Sequence, residues 1–315
     1  MQPVVSVIIP AYNASKTIDR CLKSVLNQTL KEIEVIVIND CSKDDTLKKL
    51  KKYKNIILLD NEKNLGPAGS RNRGLDIARG KYIGFVDSDD YIDERMYEVM
   101  SSKMSEDVDL VACSRFNETK NEQKEIINKN LDTDAKAFSK TSNYITDKLY
   151  KREIIEKNNL RLPEKYSYAE DFAFLIRYKF YANKMCILQV PLYHYLVDSE
   201  GSITNSYKRN LFNIIRVLEE MLDFFREQNA FETYEKELVI LSAGFYVRRI
   251  REFKNFDDKE LQREFVREFL QYFKNNFKKY KHQINGFKTK YYRFYRSTYW
   301  MMLIYIELQQ LRRKK

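Results

Sequence analysis

The segment Val4-Val5-Ser6-Val7-Ile8-Ile9-Pro10 is a short apolar, β-branched run that ends at a proline. Similar apolar runs follow it at residues 33–38, 55–59 and 81–86. Segments with helical spacing separate these runs, at residues 15–28, 44–53 and 67–78. Strands that are apolar throughout and alternate with helices are typical of a parallel sheet covered on both faces. We therefore predict an α/β fold with a mainly parallel, Rossmann-like sheet flanked by helices.

The later sequence predicts two further regions. Strands over 109–116 and 185–197 accompany helices over 93–103, 144–158 and 169–182, whereas residues 117–143 are polar and aperiodic and indicate a loop-rich insertion. From Ser206 onward only helical periodicity is visible, with almost no glycine or proline. The chain should therefore have three parts: residues 1–115, residues 116–204 and an all-helical region over 205–315.

Composition excludes several classes of protein. The 315 residues are 43% hydrophobic and 32% charged, which indicates a folded chain. No apolar stretch approaches the roughly 20 residues of a membrane-spanning helix, and none has the flanks of a secretory signal. The four cysteines are scattered without a CxxC pair, so we expect reduced thiols in a cytoplasmic protein rather than a zinc site or disulfides.

The whole net charge of +11 lies in the C-terminal tail. Residues 270–315 carry 12 lysines and arginines against one acid, Glu307, interleaved with twelve aromatic residues. Such a segment favours peripheral binding to an anionic membrane surface, here the inner face of the cell membrane. A packed helical appendage with a solvated basic face is the alternative. Nucleic acid is not expected as a partner, because the rest of the chain is formally neutral, and a homo-oligomer stays open.

The strongest chemical signal is Phe85-Val86-Asp87-Ser88-Asp89-Asp90, where three carboxylates in four residues follow a buried strand. Carboxylates this close raise one another's pKa unless a cation lies between them. Their hard oxygen atoms suit Mg²⁺ or Mn²⁺, which then bridges to substrate phosphates. The segment is therefore a candidate metal site; the structural alternative is a turn that caps the helix near Asp93.

Polar or aromatic residues also follow the other three predicted strands of residues 1–90. The carboxyl ends of parallel strands meet at one edge of a sheet, so these residues should lie together. The last of these turns places Arg71 and Asn72 on the first turns of a helix, where donors can meet anions. The three segments are Pro10-Ala11-Tyr12-Asn13, Asn39-Asp40-Cys41-Ser42, and Asn64-Leu65-Gly66 through Gly74.

Together these segments resemble the family 2 glycosyltransferases, which have the GT-A fold. The resemblance is close over residues 4–100 and looser to residue 204. It includes the opening Val-Ile-Ile-Pro-Ala-Tyr-Asn, the Arg-Asn-x-Gly segment that ends at Gly74, and the Asp-x-Asp motif Asp87-Ser88-Asp89. Two residues depart from the family pattern: Asn39 replaces an Asp, and Cys41 replaces a Gly. Cys41 implies a turn that need not have a positive φ.

The resemblance implies roles for the matching residues. Asp40 would accept a hydrogen bond from the uracil N3–H of a UDP-sugar donor, and Arg71 would support the nucleotide. Asp89, with Asp87, would hold the Mn²⁺ or Mg²⁺ ion that binds the donor diphosphate. The nucleotide-binding candidates are Pro10, Ala11, Tyr12, Asn13, Asp40, Asn64, Arg71, Asp87 and Ser88.

The second half supplies the remaining candidates. Glu170 and Asp171 open a predicted helix, where acids often only complement the helix dipole. They resemble the family's Glu-Asp motif, which implies Asp171 as the base that deprotonates the acceptor and Glu170 as its orienter. His194 is either a structural strand residue or, as in many relatives, a contact to the metal or diphosphate. A lid over 202–204 would follow it.

The resemblance implies an inverting, metal-dependent transfer of a hexosyl or N-acetylhexosaminyl group from a UDP-sugar. The acceptor would be a glycan or lipid-linked glycan in bacterial polysaccharide, capsule or lipooligosaccharide assembly. Residues 1–115 would bind the nucleotide sugar, and residues 116–204 would bind the acceptor and supply the base. Two alternatives stay open: a nucleotidyltransferase on a Rossmann-like sheet, and a non-catalytic basic scaffold that binds membrane or nucleic acid.

Overall fold

A computed structural model describes residues 2–128, 133–136, 138, 142–166, 168–197, 212–253 and 259–278. The chain forms two compact units, residues 1–207 and 208–315. The first unit carries every candidate site residue. The lid predicted over 202–204 and most of the basic tail, from residue 279 on, lie outside the described residues. The division into three parts at residues 115 and 204 stays a prediction.

Four parallel strands form the first half of the sheet, in the order β3-β2-β1-β4. Three helices, α1 (Ile18–Leu26), α2 (Thr46–Leu50) and α3 (Gly66–Ile77), connect them. The carboxyl ends of these strands meet at one edge, as the apolar runs predicted. The strands are β1 (Val5–Ala11), β2 (Ile33–Asn39), β3 (Ile57–Asp60) and β4 (Tyr82–Phe85).

Beyond β4 the sheet continues in mixed orientation. Its order is β4-β9-β6-β10-β5, with β7 paired to β6 and β8 to β10. The strand β9 runs antiparallel to both neighbours, whereas β10 is parallel to β6. These strands are β5 (Tyr91–Ile92), β6 (Val108–Glu118), β7 (Gln123–Ile126), β8 (Thr133–Asp134), β9 (Lys148–Lys151) and β10 (Lys184–Leu196); the helices are α4 (Met96–Ser101), α5 (Arg152–Lys157) and α6 (Glu170–Tyr181).

The helix predicted over 144–158 is wrong at residues 148–151, which form β9 in the middle of the sheet. Leu149 and Tyr150 are successive strand residues, and both are fully buried. A short strand that is buried on both faces shows no alternation of apolar and polar residues, so periodicity alone cannot distinguish it from a helix. Only Arg152–Lys157 is helical here.

Close packing of α3 on the sheet sets the position of the candidate Arg71. A Cβ atom added to Gly74 would collide with Ile8 Cγ2 and lie 3.2 Å from Ile38 Cδ1. Ile8 and Ile38 are both fully buried in the core on this face of the sheet. The glycine of the Arg-Asn-x-Gly segment therefore lets α3 lie directly on β1 and β2, which brings Arg71 to the edge where the strands end.

The second unit is helical in the part that the structure describes, as predicted. Its helices are α7 (Asn213–Glu227), α8 (Phe231–Phe253) and α9 (Lys259–Asn276). Leu218, Phe225 and Phe269 are fully buried in it, and Ser242 Oγ lies 2.9 Å from Tyr272 Oη. Among the described residues, no helix combines the length and the apolar character needed to cross a bilayer.

Candidate functional site

The turn after β4 presents Asp87, Ser88 and Asp89 at the edge of the sheet, each half-buried. Side chains from α1 and β10 hold its main chain. Arg20 Nη2, from α1, donates to the Asp89 carbonyl at 2.9 Å, and the Asp87 N–H donates to Tyr193 Oη, from β10, at 3.2 Å. The shape of the Asp-x-Asp turn is therefore fixed from two sides of the unit.

Asp90, the third acid of this turn, ties β10 to it. Asp90 is 1% exposed and accepts hydrogen bonds from Tyr193 Oη at 2.6 Å and from the Leu196 N–H at 2.8 Å. Burial, reinforced by the neighbouring Asp87 and Asp89, raises the pKa of Asp90 well above its ordinary value. The segment that contains His194 is consequently held beside the Asp-x-Asp turn.

Arg71 joins the two acidic motifs. Its side chain is 5% exposed, and Nη2 lies 2.6 Å from Asp87 Oδ1. Nη1 lies 3.1 Å from Asp171 Oδ1 and 3.7 Å from Glu170 Oε1. One buried cation thus contacts a carboxylate of the Asp-x-Asp motif and both acids of the Glu-Asp motif. We call Arg71, Asp87, Glu170 and Asp171 the Arg71 cluster.

The backbone at the start of α6 is strained where it delivers the two acids. Ala169, the residue before the helix, has φ of 67°. This left-handed conformation costs a non-glycine residue about 1–2 kcal/mol, and strain of this kind is concentrated at functional sites. This conformation was not predictable from the residue type, because alanine normally favours a right-handed helix. The turn places Glu170 and Asp171 on the first turn of α6, opposite Arg71.

The Arg71 cluster has one cation for three carboxylates, so not all three acids ionise easily. Burial raises the pKa of Asp171 to about 7; Arg71 opposes this shift, while Glu170 and Asp87 reinforce it. Burial also raises the pKa of Glu170, against the attraction of Arg71. A carboxyl group that titrates near neutral pH can take a proton from a hydroxyl group, which is the chemistry of a general base.

The end of β1 offers one aromatic surface to a ligand. Tyr12 is 50% exposed, whereas Ala11 is fully buried in the core and Pro10 is half-buried. Asn13, with φ of 50°, accepts a hydrogen bond from the Lys43 N–H at 2.8 Å and so joins this turn to the one after β2. Of these candidates, Tyr12 is the one whose side chain can lie against a nucleobase.

Asp40 and Asn64 organise the turn that leads into α3. Asp40 is 3% exposed, and its Oδ1 accepts from Asn61 Nδ2 at 2.7 Å and from the Leu65 N–H at 2.8 Å. Asn64 donates to the Asp40 carbonyl at 3.2 Å and accepts from the Gly66 N–H at 3.1 Å. No described residue donates to Asp40 Oδ2. That oxygen can therefore accept a hydrogen bond from a ligand at this turn.

The turn after β2 corrects one prediction. Cys41 has φ of 58°, so the expectation that this turn needs no positive φ is wrong. The chain reverses so tightly after β2 that the left-handed conformation persists even without glycine. Asp44 joins this turn to the start of α1, because it accepts from the N–H groups of Ser15 and Thr46, both at 3.0 Å. Burial alone would raise the pKa of Asp44, but hydrogen bonds outweigh it and lower the pKa to about 2.

His194 lies in a stack of aromatic rings next to the Asp-x-Asp turn. Its ring centroid is 4.2 Å from that of Tyr91 and 4.7 Å from that of Phe116. Its Nδ1 lies 2.7 Å from Glu118 Oε1. Burial would raise the pKa of Glu118, but hydrogen bonds from His194, Tyr91 and Gln123 lower it overall. A contact between His194 and a metal stays a prediction.

Within the described ranges, no group of three or more His, Cys, Asp or Glu side chains is arranged to hold a metal ion. Mg²⁺ commonly binds through one or two carboxylates and takes its other ligands from water and substrate phosphates. The half-buried carboxylates of Asp87 and Asp89 fit that mode of binding. They do not fit a metal site built from protein ligands alone.

Three residues that hold the site together were missing from the sequence prediction. Arg20 lies on α1 without any motif. Glu118 falls in the stretch predicted as a loop, and only the continuation of β6 to that residue brings it to His194. Tyr193 had a usable signal, because successive residues of a strand face opposite sides, so one side of the strand at His194 could have been predicted to be buried.

The match to a known family covers the part of this arrangement that contains the Arg71 cluster. A sequence model of glycosyl transferase family 2 matches residues 6–181, from β1 through α6. The chain belongs to this family. The matched range contains the complete Arg71 cluster. Membership in family 2 identifies the protein as a glycosyltransferase and decides against the nucleotidyltransferase and the non-catalytic scaffold.

Relatives support the family and the fold. EpsH of Bacillus subtilis is 32% identical over 252 residues, 75% of this chain and 73% of EpsH. The cholesterol galactosyltransferase of Borreliella burgdorferi is 30% identical over 258 residues, 73% of this chain and 72% of the relative. The crystal structure of residues 1–349 of S. aureus TarS with UDP-GlcNAc has a TM-score of 0.73 at 24% identity, covering 86% of this chain and 81% of that one. This similarity confirms the GT-A fold.

Proposed function

We propose that this family 2 glycosyltransferase moves a hexosyl or N-acetylhexosaminyl group from a UDP-sugar to a glycan hydroxyl, with a divalent metal and with inversion. The observation that carries the proposal is the Arg71 cluster. Asp87 and Asp171 come from different halves of the first unit, yet both contact one buried guanidinium. A donor bound at Asp87 and an acceptor bound at Asp171 would meet across this cluster.

The reaction is a single displacement at the anomeric carbon. Asp171 accepts the proton of the acceptor hydroxyl while the oxygen of that hydroxyl attacks the anomeric carbon. The bond to the diphosphate breaks on the opposite side, its electron pair leaves with UDP, and the configuration inverts. Glu170, also held at Arg71, orients the acceptor. A Mg²⁺ or Mn²⁺ ion held by Asp87 and Asp89 would offset the charge of the leaving diphosphate.

The choice of a uridine donor is supported by two residues and by the neighbouring structures. Tyr12 has an exposed ring for the base, and Asp40 Oδ2 is available to accept from an N3–H group. TarS, whose structure with UDP-GlcNAc shares this fold, is a poly(ribitol-phosphate) beta-N-acetylglucosaminyltransferase. We therefore place the enzyme in the assembly of a bacterial surface glycan.

Replacing Asp89 with asparagine tests the donor site. Loss of a residue that only contacts a metal ligand lowers metal affinity by roughly 10–100-fold. Asp89 is a proposed ligand itself, so the metal-dependent affinity for UDP should fall by at least this factor. Calorimetry with UDP and Mn²⁺, repeated in EDTA, measures this. Asp45→Asn is the matched control, because its side chain is 71% exposed near the same edge of the sheet. Equal UDP affinity of the wild type with and without Mn²⁺ would contradict the metal site.

A panel of UDP- and GDP-sugars then tests the donor itself, with and without acceptor glycans. We expect release of UDP from one or more UDP-sugars, increased by an acceptor. Release of GDP alone would show that the nucleotide assignment is wrong.

The basic tail, residues 270–315, should attach the enzyme to anionic lipid on the inner face of the cell membrane. Each basic residue near such a surface contributes about 1 kcal/mol. Replacing Lys288, Lys290, Arg293 and Arg296 with glutamine should therefore weaken binding by about 10³-fold. Flotation with vesicles of phosphatidylglycerol and phosphatidylcholine, compared with phosphatidylcholine alone, measures this. Wild-type protein that floats with neither vesicle would contradict the proposal.

A further inference from the structure

Arg115, on β6, lies against two tyrosine rings in the first unit. Its guanidinium carbon is 4.0 Å from the ring centroid of Tyr144 and 5.8 Å from that of Tyr195. The centroids of the two rings are 5.8 Å apart, and both tyrosines are half-buried. Contact with aromatic faces holds a guanidinium group in one plane. We call Arg115, Tyr144 and Tyr195 the Arg115 stack.

The edge of the guanidinium that carries Nη1 and Nη2 is open. The side chain is 12% exposed, and its Nε donates to Asn117 Oδ1 at 3.0 Å. Asp147 Oδ2 lies 3.6 Å from Nη1, which is too long for a hydrogen bond. No hydrogen bond joins Nη1 or Nη2 to a residue that the structure describes. The N–H groups of such an edge bind a carboxylate or a phosphate through two parallel hydrogen bonds.

Asp147 does not neutralise Arg115, because a second cation holds it. Its Oδ1 lies 2.5 Å from Nζ of the fully buried Lys148, and its Oδ2 accepts from Ser142 Oγ at 2.7 Å. Lys148 also donates to the Tyr144 carbonyl at 2.6 Å, which fixes the segment that carries this ring. Among the described residues, Asp147 is the one carboxylate that forms an ion pair with either cation. This excess of positive charge in a mostly buried place favours an anionic ligand.

The Arg115 stack adjoins the Asp-x-Asp turn. Tyr195 belongs to the stack, and the next residue, Leu196, donates its N–H to Asp90 Oδ1 at 2.8 Å. Burial raises the pKa of Tyr195 above its ordinary value, and the charges of Tyr144 and of the acids in this turn reinforce the shift. One end of the stack is therefore close to the proposed donor site.

The proposed base, Asp171, is coupled to the same group. Lys148 and Tyr150 are alternate residues of β9 and lie on one face of the sheet. The Tyr150 ring centroid is 5.7 Å from that of Phe174, on the helix whose first turn carries Asp171. Burial raises the pKa of Asp171 to about 7, and the charges of Arg71 and Lys148 oppose the shift. An acceptor whose hydroxyl lies at Asp171 can therefore extend to the Arg115 stack.

We propose that the Arg115 stack binds an anionic group of the acceptor, a phosphate or a carboxylate. The proposal rests on the proposed function and deepens it, because it names the class of acceptor that Asp171 would deprotonate. A neutral acceptor would leave Nη1 and Nη2 of Arg115 without a partner, which makes it the poorer ligand. An arginine that served only to support the fold would affect charged and neutral acceptors alike.

Three small probes test the site while UDP and Mn²⁺ occupy the donor side. The full chain, saturated with both, is titrated with glycerol phosphate, methyl glucuronide and the neutral methyl glucoside, and ligand-observed NMR gives each Kd. At least one of the two anions should bind about tenfold or more tightly than the glucoside, which is the effect of one charge-assisted hydrogen bond. The tighter of the two anions tells whether the site takes a phosphate or a carboxylate.

Substitutions assign the effect to the guanidinium. Arg115→Met should weaken binding of the preferred anion about tenfold or more and change the Kd of the glucoside less than about twofold. Arg115→Lys should be intermediate, because an ammonium group keeps the charge without the planar fork. Arg95→Met is the matched control, because this arginine is 59% exposed and pairs with Asp93. Unchanged affinity for UDP shows that a variant is folded.

Tyr144→Leu keeps Arg115 but removes the ring beneath it. Binding of the anion should weaken by about 2–30-fold, the range of a cation–π contact. This variant decides the matter if Arg115→Met does not fold.

Failure of both anions to bind the wild type, or equal affinity for all three probes, would overturn the proposal. An anion affinity that Arg115→Met and Tyr144→Leu leave unchanged would also overturn it. Failure of the wild type to bind UDP with Mn²⁺ would instead contradict the proposed function. The probe titration repeated without UDP and Mn²⁺ would then still decide whether Arg115 binds an anion.

Discussion

Replacing Asp171 with asparagine should lower kcat by about 10²–10⁴-fold, the range that a positioned general base contributes. The amide keeps the size of the side chain and can still accept from Arg71 Nη1, which lies 3.1 Å from Asp171 Oδ1, but it cannot take a proton. Affinity for UDP should change less than about twofold, because Tyr12 and Asp40 are untouched. Steady-state kinetics and UDP calorimetry on the same variant separate the two effects.

The pH dependence of kcat/KM for the wild type should follow the ionisation of the Asp171 carboxyl group. Because burial raises the pKa of Asp171 to about 7, the base is ionised above neutral pH and protonated below it. The kcat/KM for the acceptor should fall about tenfold per pH unit below pH 7, and this limb should be absent in Asp171→Asn. Asp76→Asn, with a side chain 58% exposed on α3, is the matched control. Full activity of Asp171→Asn, or a flat wild-type profile, would exclude Asp171 as the base.

Stability gives a second readout of the raised pKa. A carboxyl group whose pKa is higher in the folded than in the unfolded chain binds more protons when folded. The free energy of unfolding should therefore decrease as pH rises from about 4 to about 7 through this group. Asp171→Asn lacks the group, so it should be more stable than the wild type above pH 7 and similar to it near pH 4. Urea unfolding at both pH values measures the difference.

The features best predicted from the sequence are those that depend on a short stretch of chain. The apolar runs located β1 to β4, and the polar residues behind them pointed to one edge of the sheet, where Tyr12, Asp40, Arg71 and Asp87 do lie. Each of these signals is contained in a short stretch of chain. The α/β fold and the place of the candidate site therefore followed from periodicity and from the rule that parallel strands end together.

What the sequence could not predict depends on contacts between distant segments. Nothing in the Arg-Asn-x-Gly segment says that Arg71 pairs with Asp171, 100 residues later. The strand β9 was missed for the same reason, because its burial arises from β4 and β6 on either side. The positive φ of Cys41 was not predicted, because the tightness of the turn, rather than the residue type, determines this backbone angle.

Arg71→Met should cause the largest loss of stability of the changes considered. Methionine keeps most of the apolar stem but removes the charge that Asp87, Glu170 and Asp171 share. Removing one partner of a buried ion pair costs about 3–5 kcal/mol, because the remaining charge is left uncompensated. The loss in the free energy of unfolding should be greatest near pH 8, where Asp171 is ionised, and smaller near pH 5, where Asp171 binds a proton.

Arg71→Lys separates the charge of the guanidinium from its shape. A lysine retains the positive charge, but one ammonium group cannot span Asp87 and Asp171 as two separate guanidinium nitrogens do. Its stability should therefore lie between those of the wild type and Arg71→Met. In Arg71→Met, Asp171 also loses the cation that opposes its raised pKa, so the limb of the kcat/KM profile should move to higher pH. A loss of stability that is equal near pH 5 and pH 8, with an unmoved limb, would mean that Arg71 acts by packing. A stability loss that is larger near pH 8 than near pH 5, together with a limb that moves to higher pH, would show that Asp87 on the donor side and the acids on the acceptor side act through one cation.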